Sequence, residues 1–292
     1  MNLTTYTYWN ETFQGISEGG VQTCMVLPRF KLMFDVGRGA SRVIEIPRLL
    51  LTHGHLDHSS GVPYYISQRN LRRLPPADVY CPPEMAEPLD QIMKLWSKIE
   101  DYNIEYNIHP LEYDRLYELQ NNYYFQPVRS VHRVPSNGYT IIEKTRRLKP
   151  EFRELPGPEI ARLKKERDDM FVEHHLPLIT FSGDTQIEFV LENEIVRQSK
   201  VLFLECTFLD DARPVERARQ WGHIHLDEIV ANAECFRETE QLFLIHFSPR
   251  YRREVILDLI KAKLPDWLYE RTTAYLTRGG EHAPRGRRPR PT

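Results

Sequence analysis

Leu49-Leu50-Leu51-Thr52-His53-Gly54-His55-Leu56-Asp57-His58 is the stretch on which the reading of this chain turns. An apolar run of strand character stops at a threonine, and three imidazoles and a carboxylate follow within six positions, a density that packing does not explain. Imidazole and carboxylate are ordinary donors to zinc, at metal–ligand distances of about 2.0–2.2 Å. At a strand end the alternate residues His53 and His55 point the same way, and a turn brings Asp57 and His58 toward a neighbouring ion. Gly54 leaves room for a tight backbone there, and Ser59-Ser60-Gly61 reads as a polar turn into the next element.

Four donors do not make a two-metal site, so the rest of the chain must supply others. Apolar runs that read as strands recur at Lys31–Val36, Arg48–Thr52, Asp78–Cys81, Tyr123–Val131, Gly138–Glu143, Leu178–Phe181, Val201–Glu205 and Gln241–His246. Three of them deliver a metal-type residue to a strand end: His132 after the fourth, Asp184 in Ser182-Gly183-Asp184-Thr185 after the sixth, and His246 closing the last. Singly each reads as a satisfied structural group; together, behind a histidine-rich motif, they read as ligands.

Helical patterns lie between the strands. Glu84 to Glu100 places Met85, Leu89, Ile92, Met93, Trp96 and Ile99 on one face, with Pro82-Pro83 suiting the start and Pro88 an alternative first turn. Leu226–Arg237 and Arg252–Lys263 carry similar patterns. The mixture lacks a regular strand–helix–strand alternation and any repeat at a fixed period, so it predicts an α/β fold of two mixed sheets covered by helices on their outer faces.

Bulk composition narrows the setting more than the function. The chain has 292 residues, 27% of them charged, with a net charge of −2, so any nucleic-acid contact must come from a local basic patch. Cys24, Cys81, Cys206 and Cys235 are widely spaced with no Cys-x-x-Cys pair, which argues against a disulfide framework or thiolate zinc and suits a reducing, cytoplasmic setting. The first residues resemble no signal peptide, and no apolar run approaches the roughly 18 residues of a membrane span. Lys144 to Glu173 is densely charged with mixed signs, which taken alone predicts a solvated loop and helix. The Gly-, Pro- and Arg-rich tail, 278–292, is expected to be disordered.

These residues carry a resemblance. The His53-x-His55-x-Asp57-His58 signature resembles that of the metallo-β-lactamase fold, an αββα sandwich. Several narrower motifs are similar to those of the tRNA 3′-processing endonucleases called ribonuclease Z, in their short plant-type form. They are His132-Arg-Val-Pro-Ser-Asn-Gly138-Tyr139, Gly183-Asp184-Thr185, Glu205-Cys206-Thr207-Phe208-Leu209-Asp210-Asp211, Gly222-His223-Ile224-His225 and His246-Phe247-Ser248-Pro249-Arg250-Tyr251. The likeness runs from about Glu18 to Leu264.

The resemblance implies two zinc ions per subunit, one held by His53, His55 and His132, the other by Asp57, His58 and His246, with Asp184 between them. Manganese or iron would suit the same donors. It implies that Asp57 accepts a proton from the attacking water, although the residues alone leave a purely structural ligand open. It pairs Glu205 with His223 as the donor of a proton to the leaving oxygen, leaving His225 structural. Arg250 reads equally as a phosphate grip or the partner of a carboxylate, and Ser248 is a weaker substrate contact. Tyr139 reads as a core or rim aromatic. By the same likeness one catalytic domain spans 1–277, and an inserted arm at about 144–175, carrying Lys164 and Lys165, clamps precursor tRNA in a homodimer. A compact ester, thioester, lactam or cyclic nucleotide is the competing substrate class, and a non-catalytic RNA scaffold a more distant one.

Overall fold

A computed structural model describes residues 3–39, 41–167 and 169–276. The basic tail, 278–292, lies outside the described residues. The first sheet holds β1 (Thr4–Tyr8), β2 (Glu11–Glu18), β3 (Gln22–Leu27), β4 (Leu32–Phe34), β5 (Arg48–Leu50), β6 (Ala77–Cys81) and β7 (Tyr106–Pro110), side by side in that order. The second holds β8 (Tyr117–Gln120), β9 (Tyr123–Arg129), β10 (Asn137–Leu148), β11 (Phe171–Phe181), β12 (Val201–Glu205), β13 (Gln241–Ile245) and β14 (Thr272–Ala274). In each sheet the first four strands pair antiparallel, and the fourth to the seventh pair parallel. The chain is thus built twice on one plan, a duplication of topology with no periodic trace in the sequence.

Both faces of the central parallel strands β12 and β13 are buried, and strand alternation sorts their side chains. In β12, Val201 and Phe203 join the core between the sheets, while Leu202 and Leu204 join the core beneath the helices. The inter-sheet core is aromatic: Phe34 stacks on Phe181 at 4.8 Å, and Phe13 meets Phe203 edge-on at 4.9 Å. Tyr139 belongs to this core, fully buried, its hydroxyl donating to the Leu51 carbonyl at 2.5 Å. α1 (Leu56–Ser59) is a single turn that follows β5, and α2 (Val62–Leu71) and α3 (Pro83–Glu100) lie on the outer face of the first sheet. Around the second are α5 (Glu188–Leu191), α6 (Glu194–Arg197), α7 (Val215–Gln220), α8 (Leu226–Ala231), α9 (Arg253–Lys263) and α10 (Asp266–Tyr269). The αββα sandwich expected from the sequence is the observed fold. No helix among the described residues is long and apolar enough to cross a membrane.

Several local expectations change. β1, β2, β7, β8 and β14 have no counterpart among the predicted strands, because their polar-rich sequences give no apolar run; β3 has none either, although it is buried from Thr23 to Leu27. The expected helix 226–237 divides, since α8 stops at Ala231 and a 3-10 turn continues over Ala233–Phe236. Pro88 lies inside α3, whose first turn holds Pro83. Of the predicted face of α3 only Leu89 and Met93 are fully buried. Ile92, Trp96 and Ile99 join Leu95 in an exposed apolar stripe, with Ile99 70% accessible.

The charged segment is more ordered than a solvated loop. β10 and β11 stay paired from Lys144 opposite His175 to Leu148 opposite Phe171, whereas β9 ends its pairing opposite Glu143. The two strands therefore leave the sheet as a ribbon, capped by a 3-10 turn (Pro150–Phe152) and α4 (Gly157–Glu166).

Candidate metal centre and its acid pair

The strand ends converge. His53, His55, Asp57 and His58 follow β5, His132 lies between β9 and β10, Asp184 follows β11, Glu205 ends β12, and His246 follows β13. His53, His55, His132 and Asp184 each bring a ligand atom within 4.8 Å of the others, and so do Asp57, His58, Asp184 and His246. Asp184 is common to both groups. Two glycines let the loops meet: Gly183 (φ +60°), where a Cβ would lie 2.7 Å from that of Thr52, and Gly222 (φ +79°), where it would lie 2.7 Å from His132 Nδ1.

The spacing of these donors suits a metal ion. Two bonds of about 2.0–2.1 Å to one tetrahedral zinc hold their donor atoms roughly 3.3–3.4 Å apart. Here His132 Nε2 faces His55 Nδ1 at 3.3 Å, and His58 Nε2 faces His246 Nε2 at 3.4 Å. Asp184 Oδ1 stands 3.3 Å from both His58 Nε2 and His246 Nε2, and its Oδ2 is 3.7 Å from His53 Nε2. His53 Nε2 and Asp184 Oδ1 are buried with no hydrogen-bond partner among the described residues, a cost that a cation would remove.

The far nitrogens are fixed so that the near ones present lone pairs. His58 Nδ1 donates to Asp35 Oδ2 at 2.7 Å, and His132 Nδ1 to the Gly222 carbonyl at 2.8 Å. Thr52 donates its single proton to Asp35 (2.8 Å) and so accepts from His53 Nδ1 (3.0 Å). Thr207 donates to Glu205 Oε2 (2.7 Å) and accepts from His246 Nδ1 (3.0 Å). Asp35, Thr52 and Thr207 carry no signal of this role in the sequence. The apolar run Lys31–Val36 conceals Asp35, but β4 ends at Phe34 and Asp35 turns out of it at φ +53°. His246 leaves β13 at φ +61°, a left-handed conformation costly for this residue type and held by its surroundings.

The charges oppose one another across the cluster. Burial and then the His58 ring push the His53 pKa well below the ordinary histidine value. Burial also works against charge on His58, but Asp184 and Asp35 outweigh it and raise its pKa well above that value. Burial raises the Asp57 carboxyl, and the His246 and His58 rings more than offset this, leaving its pKa lowered.

Beside the cluster, His223 Nδ1 donates to Glu205 Oε1 at 2.9 Å. Burial disfavours the imidazolium, yet the Glu205 carboxylate prevails and lifts its pKa to about 9. Glu205 is itself held by the Thr185 amide at 2.9 Å as well as by Thr207. His225 does different work: it caps α8, accepting from the Asp227 amide, while Glu228 bonds back to its own backbone. Arg250 is exposed, makes no ion pair among the described residues, and shares with Ser248, His223 and His246 the lining of a cavity of about 240 Å³. Lys164 and Lys165 are not at this site. They sit on α4 at the ribbon tip, and β11, whose other end leads to Asp184, alone spans roughly 35 Å at ~3.3 Å per residue.

A beta-lactamase superfamily domain model matches residues 37–247. The chain is 34% identical to tRNase Z TRZ1 of Arabidopsis thaliana over 268 residues, covering 91% of this chain and 95% of that protein. It is also 34% identical over 249 residues to the chloroplastic tRNase Z TRZ2 of the same plant, covering 85% and 70%. Among solved structures it superimposes on the short form of human tRNase Z with a TM-score of 0.52 at 18% identity, covering 86% of this chain and 94% of that one.

Proposed function

The chain belongs to the beta-lactamase superfamily and, within it, to the ribonuclease Z (tRNase Z) family, and from that premise we propose that it is the metal-dependent endonuclease that removes the 3′ trailer from precursor tRNA. The observation that carries this beyond a generic hydrolase is the Glu205–His223 pair at 2.9 Å, set against the metal-type cluster. Two zinc ions fit the two donor groups that share Asp184. When bound, such a pair supplies a nucleophilic hydroxide near neutral pH and neutralises phosphoryl oxygens.

The chain's own residues do the rest. Asp57, only partly covered and with its pKa lowered, accepts a proton at its carboxylate. His223, oriented by Glu205, gives its proton to the departing O3′, so that the tRNA keeps a 3′-hydroxyl and the trailer a 5′-phosphate. Arg250, free of a carboxylate partner among the described residues, grips a phosphate beside the cut, with Ser248 next to it. The ribbon and α4, with Lys164 and Lys165, bind the body of the tRNA. The exposed Ile92, Leu95, Trp96 and Ile99 stripe at i, i+3, i+4 and i+7 supports a homodimer. The four free cysteines fit a reducing compartment such as the cytosol.

The test is cleavage of an end-labelled precursor tRNA, with the cut and its end groups mapped. We expect one cut at the tRNA–trailer junction, lost in His223→Ala by a factor of about 10²–10⁴ and far less affected in His225→Ala, with metal content unchanged in both. Equal losses in the two variants overturn the proton-donor assignment, and full activity on bis-p-nitrophenyl phosphate with no junction cut overturns the RNA substrate.

A further inference from the structure

The cavity of about 240 Å³ beside His223 has a wall that the zinc and proton chemistry leave unused. Its lining brings Gly19 and Gly20, at the turn between β2 and β3, together with Phe208, Trp221 and Arg213. His223 and His246 line it as well. Trp221 is partly exposed, its ring centroid 5.5 Å from that of Phe208, 4.6 Å from the Arg217 guanidinium carbon and 5.9 Å from that of Arg213. Gly20, in a left-handed conformation, has nothing within 4 Å of where a side chain would begin, so the lining is open there.

Trp221 and His223 are two residues apart on one closed turn. The amide of Trp221 bonds the Ala218 carbonyl at 3.0 Å, that of Gly222 bonds Arg219 at 2.9 Å, and that of His223 returns to Ala218 at 3.0 Å. The aromatic wall therefore keeps a fixed register to the His223 imidazole. The Arg217 and Arg213 guanidiniums lie over this partly exposed indole, contacts worth about 0.5–1 kcal/mol at exposed sites. Beside a phosphate-handling centre the group matches a nucleotide whose base displaces those cations from the ring, for a stacking gain of about 1–3 kcal/mol, and leaves them to its phosphates.

We propose that this slot binds the nucleotide immediately 5′ of the scissile phosphate, its base stacked on Trp221. The orientation rests on the proposed function, because His223 is assigned there to the departing O3′, and that oxygen belongs to the 5′ nucleotide. The base on the trailer side of the cut lies outside the slot. Because stacking uses a face that every base has, the slot demands a base without selecting which one.

The experiment compares kcat/KM on three precursor tRNAs: intact, abasic immediately 5′ of the cut, and abasic immediately 3′ of it. For the wild-type protein we expect the 5′-abasic substrate to lose roughly five- to a hundredfold, and the 3′-abasic substrate to stay near the intact rate. Trp221→Ala should lose a similar factor on the intact substrate and no longer distinguish it from the 5′-abasic one; Trp221→Phe should recover most of the difference. Wild-type cleavage at the junction with no 5′-abasic penalty overturns the slot alone, and needs no variant to fold. A full penalty persisting in Trp221→Ala also overturns it. A wild-type protein that hydrolyses bis-p-nitrophenyl phosphate but cuts no precursor tRNA overturns the function and the slot together.

Discussion

Single side chains set the proton positions at this site, and their effects can be signed. The Glu205 carboxylate holds the His223 pKa up at about 9, against an ordinary 6.5, so the donor form persists below about pH 9 and is lost as pH rises through it. Glu205→Gln removes the charge that raises it, and the alkaline limb of kcat/KM on precursor tRNA should move down toward neutrality; an unmoved limb would separate that limb from this pair. Thr207 joins the same carboxylate to the His246 ring, 2.7 Å to one side and 3.0 Å to the other. Thr207→Val keeps the shape and strands both buried partners, at a cost of about 1–3 kcal/mol. We expect metal affinity, measured by competition with a chelator, to fall about 10- to 100-fold and to return in Thr207→Ser. Unchanged affinity in the valine variant would leave Thr207 a packing residue.

At the level of elements, the two halves repeat one device. The segment after β5 places Thr52 between the buried Asp35 and the ligand-type His53, and the segment after β12 places Thr207 between the buried Glu205 and His246. β5 and β12 are the fifth strands of their sheets, so duplicated topology delivers matching loops to one end. His53 and His246 were legible in sequence because each follows the apolar run of a buried parallel strand, whereas His132 follows the half-buried antiparallel β9 and His223 follows no apolar run. Asp35 was not legible, because three apolar residues of β4 do not show where a strand stops, and the antiparallel strands β1 and β2 were not, because polar residues interrupt them throughout. The arm was legible as a charged segment but not as a ribbon, since its ladder depends on pairing Lys144–Leu148 with Phe171–His175 across an insertion. That pairing makes the arm separable: removing Arg147–Glu166 leaves Arg146 opposite Glu173, with 167–172 to close the hairpin. The deletion should raise KM for precursor tRNA roughly hundredfold, the loss of about two charge-assisted contacts, and flatten the salt dependence, while hydrolysis of bis-p-nitrophenyl phosphate continues. Parallel loss of both activities would place the arm in the fold rather than in binding.

For the whole molecule, the question is which site each arm serves. The metal-type cluster lies at the Phe181 end of β11 and the ribbon leaves from the opposite end, so within one chain the two are separated by about the length of that strand, roughly 35 Å. An arm pointing away from its own centre is well placed to hold RNA whose 3′ end enters the other centre of a homodimer, and α3, apolar toward its sheet at Leu89 and Met93 and toward solvent at Leu95 and Ile99, offers a surface for such pairing. Mixed dimers decide between the two arrangements. One pairs an armless subunit that keeps His223 with a full-length His223→Ala subunit; the other pairs wild type with a subunit carrying both changes. If arms act on the partner's site, the first dimer has one complete site and should show about half the wild-type activity, while the second has none, because its one intact site faces a missing arm. If arms act on their own site, the pattern reverses. We expect the first pattern, read as precursor-tRNA cleavage by doubly tagged, purified heterodimers, and the reverse pattern would confine each arm to the centre of its own chain.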